Sequence, residues 1–139
     1  MNSAAATAIG PPKQILVVED ETLIAIYLEG LIRELGCVCV GPIATLADAI
    51  AQAQTAVVDA AILNLIVDGQ PAYAVAEILA RRGIPFGFAS GVLHASILPE
   101  WASRPRVDKP YSLQGVEQLL QALLTDVERS SAEPGEGAA

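Results

Sequence analysis

Short apolar runs alternate along the chain with segments whose apolar residues recur every three or four positions. The runs are of strand length and several are bounded by Gly or Pro, which is typical of buried strands. They predict five strands, at Gln14–Val18, Val38–Val40, Asp59–Leu65, Pro85–Ala89 and Arg106–Asp108. The periodic segments predict helices at Glu21–Leu35, Thr45–Gln54, Tyr73–Arg82 and Ser112–Glu128. Prolines interrupt the stretch between Gly91 and Pro105, so any helix there is shortened or irregular.

The repeated order of strand and helix predicts one α/β domain, a parallel sheet covered by helices on both faces. We place this domain at residues 13–128. The segments 1–12 and 129–139 are rich in small and polar residues, and we expect them to be disordered tails. Ligands of such sheets bind outside the carboxyl ends of the strands. The polar residues at these ends are therefore the candidates for a functional site.

Composition narrows the class of protein. Of the 139 residues, 53% are apolar and 17% are charged, which excludes a mainly disordered chain. Sixteen acidic and eight basic residues give a net charge of −8, which argues against binding to nucleic acids or to anionic membrane surfaces. The sequence has no apolar run of about 18 residues and no signal-peptide pattern at its start. We therefore expect a cytoplasmic protein whose two cysteines remain thiols.

The carboxyl ends of four predicted strands carry chemically active residues. They are the acid pair Glu19 and Asp20, then Asn64, Ser90 and Lys109. Adjacent carboxylates repel each other unless a cation lies between them, and Mg²⁺ prefers such oxygen ligands. A hydroxyl and an ammonium opposite the ion would hold the oxygens of a phosphoryl group. Each residue also has a simpler interpretation, since the acids would favour the start of the following helix, Ser90 would serve a turn, and Lys109 would be a solvated loop residue.

Taken together, these strand ends resemble the receiver domain of two-component response regulators. The resemblance extends over about residues 13–128 and is strongest for stand-alone receivers. It implies a flavodoxin-like (βα)5 fold with a doubly wound, five-stranded parallel sheet, and a partner that is a histidine kinase or a histidine phosphotransfer protein. The matching segments are Ile-Leu-Val-Val-Glu-Asp-Glu at 15–21, Asp-Ala-Ala-Ile-Leu-Asn-Leu at 59–65, Asp-Gly-Gln-Pro-Ala-Tyr at 68–73, Phe-Ala-Ser-Gly at 88–91 and Val-Asp-Lys-Pro-Tyr at 107–111.

The resemblance also implies a role for each site residue. Glu19 and Asp20 match the acidic pair that binds Mg²⁺, directly or through water. Ile66 matches the residue whose backbone carbonyl is a further metal ligand. Ser90 and Lys109 match the hydroxyl and the lysine that contact the phosphoryl group, and the peptide bond after the lysine is cis in the family.

The family's phosphoacceptor is an aspartate, and the matching residue here is Asn64. A carboxylate attacks phosphorus and forms an acyl phosphate, whereas the delocalised lone pair of an amide makes it a poor nucleophile. Asn64 also removes one negative charge from the metal site, so Mg²⁺ should bind more weakly, although the amide oxygen is still available as a ligand. Three explanations stay open. They are a natural pseudo-receiver that works without aspartyl phosphate, an engineered acceptor-null variant, and deamidation of Asn64, which the bulky Leu65 disfavours.

A second departure concerns Arg106, which stands where the family has an aromatic residue that moves together with the hydroxyl residue. We therefore do not expect the usual coupling between the two positions, and we assign Tyr111 to packing.

The first predicted helix has more apolar residues than one buried face requires. Leu23, Ile26 and Tyr27 lie beside its main apolar stripe, which consists of Ile24, Leu28, Leu31 and Leu35. Either they pack against the last helix, or they form a docking patch for the helices of the kinase or phosphotransfer protein.

The sequence thus predicts a single-domain receiver in phosphorelay signalling that lacks the acceptor Asp, is not an enzyme and acts by protein–protein binding. A homodimer is compatible with it. The alternative is an Mg²⁺-dependent aspartyl phosphotransferase or phosphatase, which also places carboxylates at the ends of parallel strands. Such enzymes usually need a nucleophilic Asp followed two residues later by a second Asp, and the acidic run at 19–21 lacks this alternation.

Overall fold

The computed structural model describes residues 11–91 and 97–132 of the chain. Five parallel strands form its central sheet, and a short two-stranded hairpin follows the third of them. The strands are β1 (Gln14–Val18), β2 (Val38–Ile43), β3 (Ala60–Asn64), β4 (Ile66–Val67), β5 (Gln70–Pro71), β6 (Phe86–Ser90) and β7 (Arg106–Asp108). The helices are α1 (Thr22–Glu34), α2 (Leu46–Thr55), α3 (Tyr73–Arg81), a single 3₁₀ turn at Pro99–Trp101 and α4 (Leu113–Ala132).

The order of the strands in the central sheet is β2-β1-β3-β6-β7, and every neighbouring pair is parallel. This is the flavodoxin-like order, so the predicted fold is confirmed. The chain changes direction across the sheet between β1 and β3, which places the carboxyl ends of these two strands at the switch point where such folds bind their ligands.

Alternating strand residues divide the core into two layers, because successive side chains of a strand point to opposite faces. One layer packs under α2 and α3 and receives the large residues Leu16, Leu63, Phe86 and Phe88. The other packs under α1 and α4 and is lined from the sheet by smaller or branched side chains. These residues are Ile15, Val17, Ala60, Ile62, Ala89 and Val107.

Gly87 lies on the α4 side of the sheet. A Cβ atom at this position would come within 2.7 Å of Leu119 Cδ1 and 2.9 Å of the Pro105 carbonyl oxygen. These distances are shorter than any ordinary contact, so the absence of a side chain allows α4 to lie close against β6.

Trp101 closes the layer under α2 and α3. It is buried, it stacks on Tyr73 with ring centroids 6.5 Å apart, and its ring lies 5.8 Å from that of Phe86. The guanidinium of Arg104 sits 4.3 Å above the Phe86 ring on the outside of this cluster. The single 3₁₀ turn that carries Trp101 agrees with the predicted shortening of this region, and the part of that prediction that falls on residues 92–96 lies outside the described residues.

The largest differences from the sequence prediction concern the ends of β2 and α4 and the buried face of α1, while other bounds differ by about one residue. Strand β2 continues to Ile43, past an irregularity at Gly41, whose φ of +108° favours glycine. Helix α4 extends to Ala132, so the predicted tail from residue 129 begins as helix, and most of both tails lies outside the described residues. The buried face of α1 is formed by Ala25, Leu28, Leu31 and Ile32, while the predicted stripe residues Ile24 and Leu35 are only partly buried.

Candidate functional site

The acid pair directly follows β1, and its four carboxylate oxygens all accept hydrogen bonds. Glu19 is buried, with Oε2 receiving the Glu21 backbone N–H at 3.1 Å and the Asn64 side-chain amide at 3.1 Å. Its Oε1 lies 2.8 Å from Lys109 Nζ and accepts a longer bond of 3.4 Å from the Tyr111 hydroxyl. Asp20 accepts from Asn64 through Oδ1 at 3.0 Å and from the Asp68 backbone N–H through Oδ2 at 3.1 Å.

Asn64 is the last residue of β3, and its side-chain amide is oriented between opposite charges. The nitrogen donates to both Glu19 and Asp20, while the oxygen accepts from Lys109 Nζ at 3.2 Å. The amide dipole therefore points its positive end at the carboxylates and its negative end at the ammonium. A carboxylate in this place would keep the contact with the lysine but would meet two like charges at the other contacts.

Lys109 and Glu19 form an ion pair that is almost closed to solvent, since the lysine side chain is 13% exposed and the glutamate side chain 1%. Removing one partner of such a pair leaves a buried charge uncompensated, which is strongly destabilising. Burial raises the pKa of the neighbouring Tyr111, and the negative charge of Glu19 raises it further. The phenol therefore stays protonated and can donate to Glu19, a polar contact beyond the packing role predicted for Tyr111.

The environment of Asp20 holds its carboxyl in the ionised form. Partial burial acts to raise the pKa, but the hydrogen bonds from the Asp68 backbone, its own backbone N–H and the Asn64 amide outweigh that effect. The net result is a pKa below the ordinary value of 3.8.

Ser90 and Ile66 complete the mouth of the site. Ser90 ends β6 and is buried, and its backbone carbonyl accepts from the Lys109 backbone N–H at 3.0 Å. Both residues line a cleft of about 490 Å³ together with Asp20, Asn64 and Lys109. The structure thus brings the predicted site residues to one end of the sheet, and the Lys109–Pro110 peptide bond is cis as the resemblance implies.

The residue types of the cleft fit a divalent cation in part. Asp20 and Ile66 line the cleft and offer a carboxylate and a backbone carbonyl, while the carboxylate of Glu19 is buried beside Asp20 and is not part of the lining. The Asn64 amide does not fit as oriented, because its nitrogen, and not its oxygen, faces the carboxylates. Among the described residues there is no group of three or more His, Cys, Asp or Glu side chains that could hold a metal.

Asp68 is a site residue that the sequence analysis missed. It occupies the turn between β4 and β5 with a φ of +53°, followed by Gly69 at +75°, and this Asp-Gly pair forms the tight turn of the hairpin. The turn directs the Asp68 backbone N–H toward Asp20. The signal was present in the sequence, since Asp-Gly is a strong hairpin signal, but two-residue strands are too short to show a hydrophobic period.

The apolar residues of α1 that the sequence singled out are exposed. Leu23 is 81% exposed, Ile26 58% and Tyr27 52%, so the first of the two interpretations, packing against the last helix, does not hold for them. Arg106, at the position of the family's aromatic residue, is exposed at the edge strand β7. None of the helices in the described residues is both long and apolar enough to cross a membrane.

Comparison with known proteins identifies close structural relatives. Neither a family model nor a curated protein matches the chain. The solution structure of SdrG from Sphingomonas melonis Fr1 is 41% identical, with a TM-score of 0.75, and the match covers 84% of this chain and 99% of SdrG. The BeF3-activated conformation of SdrG is 43% identical, with a TM-score of 0.70 over 80% of this chain and 95% of that one. The receiver domain of the sensor histidine kinase PA1611 from Pseudomonas aeruginosa PAO1, crystallised with a magnesium ion in its active site cleft, shares the fold at 17% identity and a TM-score of 0.68, over 83% of this chain and 99% of that one.

Proposed function

This chain belongs to the CheY-like receiver domains of response regulators, and we propose that it acts in two-component signalling by binding a partner protein and not by carrying an aspartyl phosphate. The observation that supports the proposal is the set of contacts made by the Asn64 side chain. The acceptor position holds an amide whose oxygen contacts Lys109 and whose nitrogen contacts both acids. An amide at this position has no full negative charge with which to attack phosphorus.

Incubation with acetyl phosphate and MgCl₂, followed by intact-mass measurement, tests the proposal. We expect no phosphoryl adduct on the unaltered chain, and a base-labile adduct on the Asn64→Asp variant, because the other site residues are in place. An adduct on the unaltered chain that disappears in base would show that the proposal is wrong. The genomic codon for residue 64 separates a natural pseudo-receiver from an engineered variant of a phosphate-accepting parent.

We propose that Mg²⁺ binds this cleft more weakly than it binds receivers with an acceptor aspartate. The ion would be held by Glu19, Asp20 and the Ile66 backbone carbonyl, and it would have to displace the Asn64 nitrogen from both carboxylates. One negative charge fewer in the site lowers the attraction further.

The proposed partner is a histidine kinase or a histidine phosphotransfer protein, and the proposed contact is the exposed patch on α1. We define this patch as Leu23, Ile26 and Tyr27. Replacing Leu23 and Tyr27 by Ser should weaken binding at least about tenfold, because apolar anchors of this kind dominate interface energies. Val57 is equally exposed, at 81%, but lies outside α1, so Val57→Ser is the matched control and should leave binding unchanged. Equal binding by the double variant would exclude the patch.

Three further properties belong to the proposal. The chain is not an enzyme, so it should not hydrolyse a generic phosphomonoester such as p-nitrophenyl phosphate, and turnover would instead favour the phosphatase alternative. It is located in the cytoplasm, which fractionation of the source cells would test. A homodimer remains part of the proposal, and analytical ultracentrifugation would establish it by the sedimenting mass.

A further inference from the structure

The two cysteines lie at the start of the edge strand β2 and point to the same side of the sheet. Cys37 directly precedes the strand, and Cys39 is its second residue. Both thiols are free, and both side chains are half-buried against the core layer under α1 and α4. Val38 between them is exposed, and Val40 packs against the opposite layer. This alternation places the two sulfur atoms on one face of the strand.

The spacing of the two thiols does not suit a disulfide. Positions two apart on a strand are about 6.6 Å from each other, and side chains on the same face keep nearly that separation at their Cβ atoms. A disulfide needs Cβ atoms about 3.5–4.5 Å apart, so a bond between Cys37 and Cys39 would require the backbone to move. The pairing of Val38 and Cys39 with β1 opposes such a movement.

The same spacing suits a metal ion held between the two sulfur atoms. Thiolate–metal bonds are about 2.3 Å long, so a linear unit of sulfur, metal and sulfur spans about 4.6 Å. Each sulfur has to lean only about 1 Å along the strand toward the other, a direction in which strand side chains commonly lean. The pair is therefore spaced for a bridging ion and not for a direct bond.

The number of ligands limits which metal the pair can take. Soft thiolate ligands select Cu(I), zinc or iron–sulfur clusters. Zinc sites of the structural kind and iron–sulfur clusters need about four protein ligands. Among the described residues no third His, Cys, Asp or Glu side chain joins the two cysteines in a group that could hold a metal. Cu(I), which two thiolates can bind in a line, is the ion that remains.

We infer that Cys37 and Cys39 together bind one Cu(I) ion. Binding forms two bonds between sulfur and copper and releases the two thiol protons to solvent, and the copper stays in the Cu(I) state throughout. The cysteines stand at the start of a parallel strand, whereas the cleft lies at the carboxyl ends of the strands. The inference therefore concerns a second site and does not rest on the proposed function.

A groove beside Cys37 gives the ion a path to the pair. Its volume is about 280 Å³, and it runs between the end of α1 and the exposed side of α4. The apolar part of its lining consists of Leu35, Leu120 and Leu124. An accessible path is one of the requirements of a metal site, and the apolar lining suits a soft ion that sheds its water.

The charges around the two thiols offset each other. Each thiol has one acidic and one basic residue acting on it, Asp59 and Lys13 for Cys37, and Glu29 and Arg33 for Cys39. The surroundings therefore give no added attraction to a divalent cation. We expect the affinity of the pair to depend on the sulfur–metal bonds and so to favour Cu(I) over Zn²⁺.

Competition with a coloured chelator tests the inference. The full chain, reduced and kept under nitrogen, is titrated into the Cu(I) complex of bathocuproine disulfonate, and the loss of colour measures the copper that the protein takes. We expect one Cu(I) per chain, with an unchanged sedimenting mass. Cys37→Ser and Cys39→Ser should each lower the affinity at least about a hundredfold, because one thiolate alone does not chelate. Zn²⁺ should not bind at the same concentrations.

Two further variants separate the geometry of the pair from the number of thiols. Val38→Ser alters the exposed residue between the cysteines and is the matched control, so it should leave Cu(I) binding unchanged. Val38→Cys combined with Cys39→Ser keeps two thiols but places them on opposite faces of the strand. This double variant should bind Cu(I) as weakly as the single serine variants. A thermal melt of each variant checks that it is folded.

X-ray absorption of the copper-loaded unaltered chain needs no variant and should show two sulfur neighbours in a linear arrangement. The inference is wrong if the chain takes up no Cu(I), if either serine variant binds as tightly as the unaltered chain, or if the opposite-face pair binds equally well. Copper shared between two chains, or an intrachain disulfide after treatment with diamide, would also overturn it. None of these results bears on the acetyl phosphate test at Asn64, so the inference and the proposed function fail separately.

Discussion

Changing Asn64 to Asp should make the fold dependent on a cation. The substitution replaces an amide nitrogen, 3.0 Å from Asp20 Oδ1 and 3.1 Å from Glu19 Oε2, by a charged oxygen. Even if the carboxylates separate to about 4 Å, each repulsion is worth about 4 kcal/mol at an effective dielectric constant of about 20. The attraction to Lys109 offsets one of the two repulsions, and solvent screening at the open side of the cleft reduces the remainder. We therefore expect Asn64→Asp to destabilise the fold by about 2–4 kcal/mol without metal.

Thermal melts in EDTA and in millimolar MgCl₂ measure this effect. In EDTA the variant should melt roughly 8–16 °C below the unaltered chain. In MgCl₂ it should recover much of this difference, because a ligand that binds only the folded state stabilises it, whereas the unaltered chain should change little. Gln54→Glu makes the same chemical change on the exposed surface of α2 and serves as the control for net charge.

Two results would refute this reasoning. Equal melting temperatures of the variant and the unaltered chain in EDTA would mean that the amide does not relieve repulsion between the acids. An equal gain from MgCl₂ in both proteins would mean that the amide nitrogen does not compete with the ion.

The remaining predictions concern ionisation and packing. The lowered pKa of Asp20 stabilises the folded protein above pH 3.8, and this stabilisation is lost as the pH falls through the pKa of the folded state. The variant Asp20→Asn cannot ionise there, so it should flatten the acid side of a plot of stability against pH. An unchanged acid side would contradict the lowered pKa. Burial raises the pKa of the Cys39 thiol from 9.0 to about 11. At pH 8 the thiol of the folded protein should therefore react with a disulfide reagent about a hundredfold more slowly than the thiol of the unfolded protein. Comparable rates would refute the effect of burial. Trp101→Ala should cost about 3–5 kcal/mol in a denaturant titration, because it removes the cover of the core, whereas a loss below about 1 kcal/mol would show that the ring is peripheral.

The strand pattern could be predicted from the sequence because buried strands are short and almost wholly apolar. The bounds of β1 and β7 agree with the prediction. The parallel arrangement of the strands could be predicted from the alternation of strands with helices alone. The extension of β2 could not be foreseen, since its register continues beyond an irregularity at Gly41 that only the neighbouring strand accommodates. The face that α1 buries was also misjudged in part, because two apolar faces compete on this helix and the sheet decides between them.

The site could be predicted as a set of residues but not as a network. Parallel strands bring their carboxyl ends to one edge, so the meeting of Glu19, Asn64 and Lys109 followed from the order of the chain. The orientation of the Asn64 amide did not, because an amide has a donating and an accepting end and the choice depends on where the lysine and the acids lie in space. For the same reason the contact between Tyr111 and Glu19 was not anticipated.

The position of Lys109 in the cleft also depends on Gly87, which is not one of the cleft's reactive residues. The chain passes from Lys109 through Tyr111 directly into α4, and α4 is seated against β6 at a spacing that a single methyl group would disrupt. A Cβ at residue 87 would also meet the Pro105 carbonyl oxygen, a backbone atom just before β7, so a replacement would disturb the segments on both sides of Lys109. In a mutational screen scored by signalling output, position 87 would therefore be grouped with the cleft residues, although it does not line the cleft.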